Sequence, residues 1–392
     1  MKRKIVLFVM SCLFFSFSLL HAEEKGVVVG AERIDEWMRL LEGKQVGLVV
    51  NQTSVLHGGE VHLLDALVEK GIHVKRILAP EHGFRGRVDA GEVVKDSKDQ
   101  KTGIPIVSIY GKQKKPTAKQ LEGIDVIVFD IQDVGARFFT YISTMHYVME
   151  ACAEQGKEMI VFDRPNPNDF VDGPIRQSGF RSFVGLDPIP LLHGLTIGEL
   201  AQMINGEGWL KSGVNSCRLT VVKLLNWKHG DSYWLPIKPS PNLPNDQAVR
   251  LYPSLCFFEA TPFSVGRGTY HPFQMIGYPD PKFGTYQFTP ESLPDFDTNP
   301  LQKGKTCYGV NLQEYPFEGG LTLRFILDFY HQCGNQTDFF FSRPKWFDLL
   351  AGTDQLRKQI IQGLTEEEIR ASWQDDLIRY KAMRQKYLLY EE

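Results

Sequence analysis

Five apolar, strand-like runs in the first half of this chain each end in a polar cluster: Asn51-Gln52-Thr53, Glu81-His82-Gly83-Phe84-Arg85-Gly86, Tyr110-Gly111, Asp130-Ile131-Gln132-Asp133 and Asp163-Arg164-Pro165-Asn166-Pro167. Short continuous apolar runs rich in valine and isoleucine read as strands buried on both faces, the kind that parallel sheets contain. Between them lie helical patterns. Leu63, Leu64, Leu67 and Val68 share one helical face, and so do Phe138, Ile142, Met145, Met149 and Cys152. Strands are expected at 45–50, 74–79, 104–109, 126–129 and 159–162, with a short helix at 117–121. Strands alternating with helices predict an α/β fold built on a doubly wound, mainly parallel sheet. Such sheets bind ligands beyond the carboxyl ends of their strands, so clusters a hundred residues apart in sequence can form one site.

At 392 residues the chain exceeds one ordinary core, and two domains are expected. The composition changes where Pro236, Pro239, Pro241, Pro244 and Pro253 crowd together, which places the boundary near residue 247: an N-terminal domain over 23–247 and a C-terminal domain over 248–392. Thr196 to Glu199 and Thr365 to Glu368 each have the spacing of a capping box, which gives Glu199 a structural reason to exist. Ile369, Trp373, Leu377 and Tyr380 form a stripe expected to be core.

The first 22 residues stand apart. Lys2-Arg3-Lys4 precedes an apolar stretch over 5–20 and then His21-Ala22, the make-up of a secretory signal peptide cleaved after Ala22. The mature protein is therefore expected to be exported, to the periplasm or outside the cell, with no stable membrane insertion. Val9-Met10-Ser11-Cys12 loosely resembles a lipoprotein box, but the apolar run continues past Cys12. The remaining five cysteines are widely spaced and read as mostly buried free thiols. A net charge of −3 supplies no field for nucleic acid or an anionic membrane.

Glu81-His82-Gly83-Phe84-Arg85 and Asp89-Ala90-Gly91-Glu92 combine acids, a ring, glycines and arginine, the residue types a sugar site needs. Glu81 and Glu92 are candidates for the carboxyl chemistry of glycoside hydrolysis, which needs a proton donor and often a second carboxylate. Glu81 equally reads as a strand-end acid paired with Arg85. Asp130 and Asp133 either contact a ligand or cap the helix that follows, with Arg137 holding one of them. Arg164 salt-bridges Asp130 or binds an anionic substrate, Asn166 sits in a proline-stiffened turn, and His193 is a core histidine or a ligand. Asn242 and Glu259 flank the expected domain boundary. The chain has no HExxH, GxSxG, SxxK, GxGxxG or P-loop motif, so no metal or cofactor is called for.

Pro80 to Gly86, Asp89 to Glu92, Phe129 to Arg137, Asp163 to Pro167 and Ser240-Pro241-Asn242 together resemble the exo-β-N-acetylmuramidase NamZ family, formerly the domain of unknown function DUF1343. The resemblance continues through Ser182-Phe183-Val184-Gly185, His193-Gly194, Gly266-Arg267-Gly268-Thr269 and Tyr387-Leu388-Leu389-Tyr390. It implies a Rossmann-like N-terminal domain, a smaller α+β C-terminal domain completing a cleft, and release of N-acetylmuramic acid from the non-reducing ends of peptidoglycan-derived saccharides. Glu92 is then the first choice for the acid and Glu81 for the second carboxylate. His82, Arg85, Asp130, Asp133, Arg137, Arg164, Asn166, His193, Asn242, Glu259 and Arg267 are the expected substrate contacts. One departure is Glu259-Ala260-Thr261-Pro262 where the family has Glu-Gly-Thr-Asn, which bears on fine specificity. The lactyl carboxylate of muramic acid suggests a bidentate arginine, with Arg85, Arg137, Arg164 and Arg267 as candidates. Two other readings fit the same cleft: a non-catalytic periplasmic muropeptide-binding protein, and an esterase or amidase.

Overall fold

The computed structural model describes residues 26–84, 96–211, 213, 216–294 and 296–392. The expected signal peptide and the candidate residues Arg85 and Glu92 lie outside them. Seven strands form the main sheet: β1 (Val46–Val50), β2 (Val74–Ala79), β3 (Ser97–Lys98), β4 (Pro105–Ser108), β5 (Val126–Asp130), β6 (Glu158–Phe162) and β7 (Arg218–Val222). Their spatial order is β7-β6-β5-β1-β2-β4-β3, and every neighbouring pair is parallel except β3 on β4. The chain leaves β1 toward β2 and β4 on one side, then returns across it to β5 and β6 on the other. That reversal opens the crevice expected of a doubly wound sheet, and the described residues of all five polar clusters stand at the carboxyl ends of strands that flank it.

Side chains alternate across the sheet. Val49, Ile127, Phe129 and Val161 face a core with helices Tyr141–Glu154 and Ile197–Gly206, while Leu48, Val50, Val128 and Ile160 face a second core with Trp37, Leu64 and Leu67. The first core runs without a break into the second half of the chain through Leu255, Phe257, Phe258, Phe263, Phe347 and Tyr380. Helix Asp246–Leu255, capped by the Asn245 side chain on the Ala248 amide, crosses the expected boundary. Beyond it lie a three-stranded antiparallel sheet, β8 (Met275–Tyr278), β9 (Tyr286–Phe288) and β10 (Cys307–Asn311), and a set of helices.

Both capping boxes are present, Thr196 with Glu199 and Thr365 with Glu368. Ile369, Trp373, Leu377 and Tyr380 are all buried, although Trp373 falls between two helices, Glu366–Ala371 and Gln374–Arg384. The helix expected at 117–121 is instead a run of turns: Thr117 and Gln120 hydrogen-bond each other, and Gly123 in the left-handed region (φ 67°) ends it. Cys152, Cys217, Cys256, Cys307 and Cys333 are free and buried.

Two buried histidines hold charged networks. His146 Nε2 lies 3.1 Å from Glu150 and Nδ1 2.8 Å from Asp187. Burial alone lowers its pKa, but these two carboxylates outweigh that and carry it up to about 9. His229, against Asp169 at 2.9 Å and Glu199 at 3.1 Å, is likewise carried to about 9 against the pull of burial. Because both folded-state values lie above the ordinary histidine value of about 6.5, their stabilisation is complete below that pH and is lost as pH rises through about 9. Thermal melts from pH 6.5 to 10 are expected to show Tm falling by several degrees across about pH 7 to 9; a flat or rising Tm would contradict these networks.

Candidate active site

A cavity of about 460 Å³ lies beyond the carboxyl ends of β2 and β4, between the two halves of the chain. The first half supplies Glu81, His82, Tyr110, Lys114, Phe138, Phe139, Thr140 and Phe183, and the second supplies Tyr252, Glu259, Arg267, Phe273 and Trp346. The linking segment adds Ser240 and Asn242. Its mixture of rings with a few polar groups is that of a small-molecule site.

Glu81 follows β2, where the chain turns sharply through His82 (φ 64°) and Gly83 (φ 75°). A non-glycine residue in that region is strained by roughly 1 kcal/mol or more and persists only where its surroundings enforce it. The Tyr110 hydroxyl donates to Glu81 Oε1 at 2.6 Å, and the Thr140 hydroxyl donates to Oε2. Burial and the Glu81 carboxylate both push the Tyr110 pKa well up, so Tyr110 remains a donor. The carboxylate is thus gripped from one strand end and a helix start, and lines the cavity.

Opposite it, Glu259 Oε1 accepts from Arg267 Nε at 2.8 Å and from Nη2, and the Arg267 guanidinium lies 5.2 Å from the centre of the Phe273 ring. Asn242 donates through Nδ2 to the Phe296 carbonyl at 3.0 Å. Its orientation is therefore fixed, and its buried Oδ1 has no partner. The buried Ser182 hydroxyl is also unpartnered. Both residues line the cavity.

Six of the expected contacts stand behind the cavity rather than on it. Asp130 is fully buried and receives Arg164 Nε at 2.5 Å and Nη2 at 2.9 Å, and Arg164 also donates to the Val55 carbonyl. Asp133 accepts from the Gly135 amide and from His193 Nε2 at 3.1 Å; His193 Nδ1 in turn accepts from the Leu195 amide. Asn166 donates to the Leu195 carbonyl and faces a separate cavity of about 140 Å³. Arg137 is fully buried and donates to four carbonyls: Pro174 at 2.7 Å, Ile189 at 2.8 Å, Leu350 at 3.0 Å and Ala351 at 2.6 Å. None of the six lines this cavity. The physical reason is that buried polar and charged groups need partners, and these side chains find most of theirs inside the protein; Asp133 Oδ1 and Arg137 Nε are left without one among the described residues.

Several lining residues carried no signal of their own. Thr140 and Phe139 follow Arg137 directly, and Tyr110 ends a strand, so both places were visible without the roles. Lys114 lies 4.8 Å above the Phe183 ring, which stacks on Tyr147 at 6.3 Å and tilts against Tyr110 at 6.0 Å. Tyr252, Phe273 and Trp346 arrive from distant segments, and nothing local marks them.

A two-half α/β chain with paired acids and rings in the crevice at its strand ends has the make-up of a carbohydrate-active enzyme. The family models for the exo-β-N-acetylmuramidase NamZ match almost end to end, the N-terminal model over 46–247 and the C-terminal model over 250–390. The peptidoglycan β-N-acetylmuramidase NamZ of Bacillus subtilis (strain 168) is 39% identical over 91% of this chain and 89% of its own length. Two solved DUF1343-family proteins of Bacteroides fragilis share the structure: one at 44% identity with a TM-score of 0.86, covering 94% of this chain and 100% of its own, the other at 33% and 0.80, covering 93% and 99%. The chain belongs to the exo-β-N-acetylmuramidase NamZ family, a family of glycoside hydrolases.

Arg137→Met removes the donor to four buried carbonyls, of which only Ile189 keeps another, the Arg176 amide, a cost expected to reach at least about 3 kcal/mol in urea unfolding, or to prevent folding altogether. A loss below about 1 kcal/mol would show that the guanidinium is not structural.

Proposed function

We propose that this protein is an exo-acting glycoside hydrolase that releases N-acetylmuramic acid from the non-reducing ends of peptidoglycan fragments. The observation that carries the reading is Glu81, a carboxylate gripped by Tyr110 and Thr140 at the edge of a ring-lined cavity in the strand-end crevice. The family relationship and the peptidoglycan activity named for the Bacillus subtilis relative support it.

Cleaving a glycosidic bond requires a proton on the departing oxygen and stabilisation of positive charge at the anomeric carbon. In this reading Glu92 supplies the proton. Glu81 accepts hydrogen bonds from two hydroxyls, which suits it to the charged role, facing the developing cation. Asn242 Oδ1 and the Ser182 hydroxyl have unused capacity for the sugar's acetamido and hydroxyl groups. Trp346 offers an apolar side chain to the ring. The signal-like stretch at 1–22 supports export from the cytoplasm, which suits a peptidoglycan substrate.

Glu92→Gln and Glu81→Gln, assayed on a chromogenic N-acetylmuramic acid glycoside, should each lose at least about 100-fold in kcat. Rates near wild type in Glu92→Gln would refute its role, and a wild-type protein that binds the glycoside without releasing product would make the protein a binder. Mass analysis of the protein recovered from cells should give a chain that starts at Glu23; a retained N-terminus would count against export by cleavage.

A further inference from the structure

A muramic acid unit differs from glucosamine by a lactyl group whose carboxylate is charged when free. Bringing that charge into a cavity that already holds Glu81 and Glu259 requires a compensating cation. Among the described lining residues the cations are Lys114 and Arg267. Arg267 is already committed: Nε and Nη2 both bond Glu259, and its face packs on Phe273. Arg137 and Arg164, the other described arginines with a claim on this role, are buried on internal partners away from the cavity.

Lys114 is placed differently. No carboxylate among the described residues lies within ion-pair distance of it, and its ammonium sits 4.8 Å above Phe183 on the cavity wall. Lys115, the next residue, shows the contrast, since it pairs with Glu154 at 2.6 Å and with Glu150 at 3.5 Å. Phe183 also packs against Tyr110, the residue that grips Glu81, so the ammonium stands on the same wall as the reacting end of the cavity. A flexible four-carbon stem carrying a point charge can meet a carboxylate that projects from the sugar ring.

We propose that Lys114 binds the free lactyl carboxylate and so sets the preference for muramic acid, an inference that rests on the muramidase reading above. The test compares two chromogenic N-acetylmuramic acid glycosides on the mature enzyme, one with the lactyl group as the free acid and one with it as the simple amide. Wild type should favour the acid by about 10- to 100-fold in kcat/KM. In Lys114→Met that preference should collapse toward one, and Lys114→Arg should restore most of it. An unchanged preference in Lys114→Met, or no preference in wild type, overturns the proposal; if Lys114→Met fails to fold, Lys114→Gln is read in the same way. Cleavage of neither glycoside by wild type overturns the muramidase reading itself, and the proposal with it.

Discussion

The fold depends on one buried guanidinium. Arg137 lies at the carboxyl side of β5, fully buried, and no carboxylate among the described residues pairs with it; burial and the nearby Arg176 both depress its pKa. Its four hydrogen bonds divide evenly, two to carbonyls of the first half and two to the last carbonyls of helix Pro344–Ala351 in the second. Helix carbonyls at a C-terminus lack internal partners and favour a cation, so the helix end and the arginine satisfy each other. Gly352, left-handed at φ 74°, follows that helix; a Cβ there would meet Arg137 Nη2 at 2.6 Å. The residues beside this joint are those that face the cavity: Phe138, Phe139 and Thr140 on one side, Trp346 and Leu350 on the other. The joint therefore sets the width of the cleft, and through Thr140 it also fixes Glu81.

The acids at the strand ends divide into two kinds. Asp130 is neutralised by Arg164, while Asp163 accepts from the Arg164 and Gly198 amides, the Thr196 hydroxyl and the Tyr390 hydroxyl. Burial and nearby Glu199 push Asp163 up to about 7 in spite of those donors. Tyr390 belongs to the C-terminal segment, and the neighbouring Leu389 amide donates to Glu199, so the end of the chain is clasped to the edge of the sheet. These buried acids hold the crevice in shape. Glu81 and Glu259 keep carboxylates on the cavity, which is where chemistry on a ligand is possible.

The central strands were legible because they are buried on both faces and short, so each appears as an unbroken apolar run with a polar end; the edge strands β3, exposed, and β7, buried only at Val222, lack that signature and were not expected. The capping boxes were legible because their chemistry is local. The short helix at 117–121 was misread since one turn with Thr117 and Gln120 bonded to each other looks the same in sequence as the start of a longer helix. For the site, strand-end position identified which clusters surround the crevice but could not say which way each side chain points. Asp130, Asp133, Arg137, Arg164 and His193 turn inward to one another and to backbone groups, and that choice depends on partners far away in sequence. Lys114 and Trp346 stayed invisible for the same reason: a lysine in an irregular segment or a tryptophan on a helix acquires meaning only when the opposite half of the chain closes over it.

The central claim is that the cavity between the halves is where a muramic acid unit reacts. A crystal structure of the protein with the product N-acetylmuramic acid tests it most directly. The account predicts the sugar ring inside this cavity, its anomeric end toward Glu81 and its acetamido group within hydrogen-bond reach of Asn242. A ring bound elsewhere, or seated there with its anomeric carbon turned away from Glu81, would contradict it.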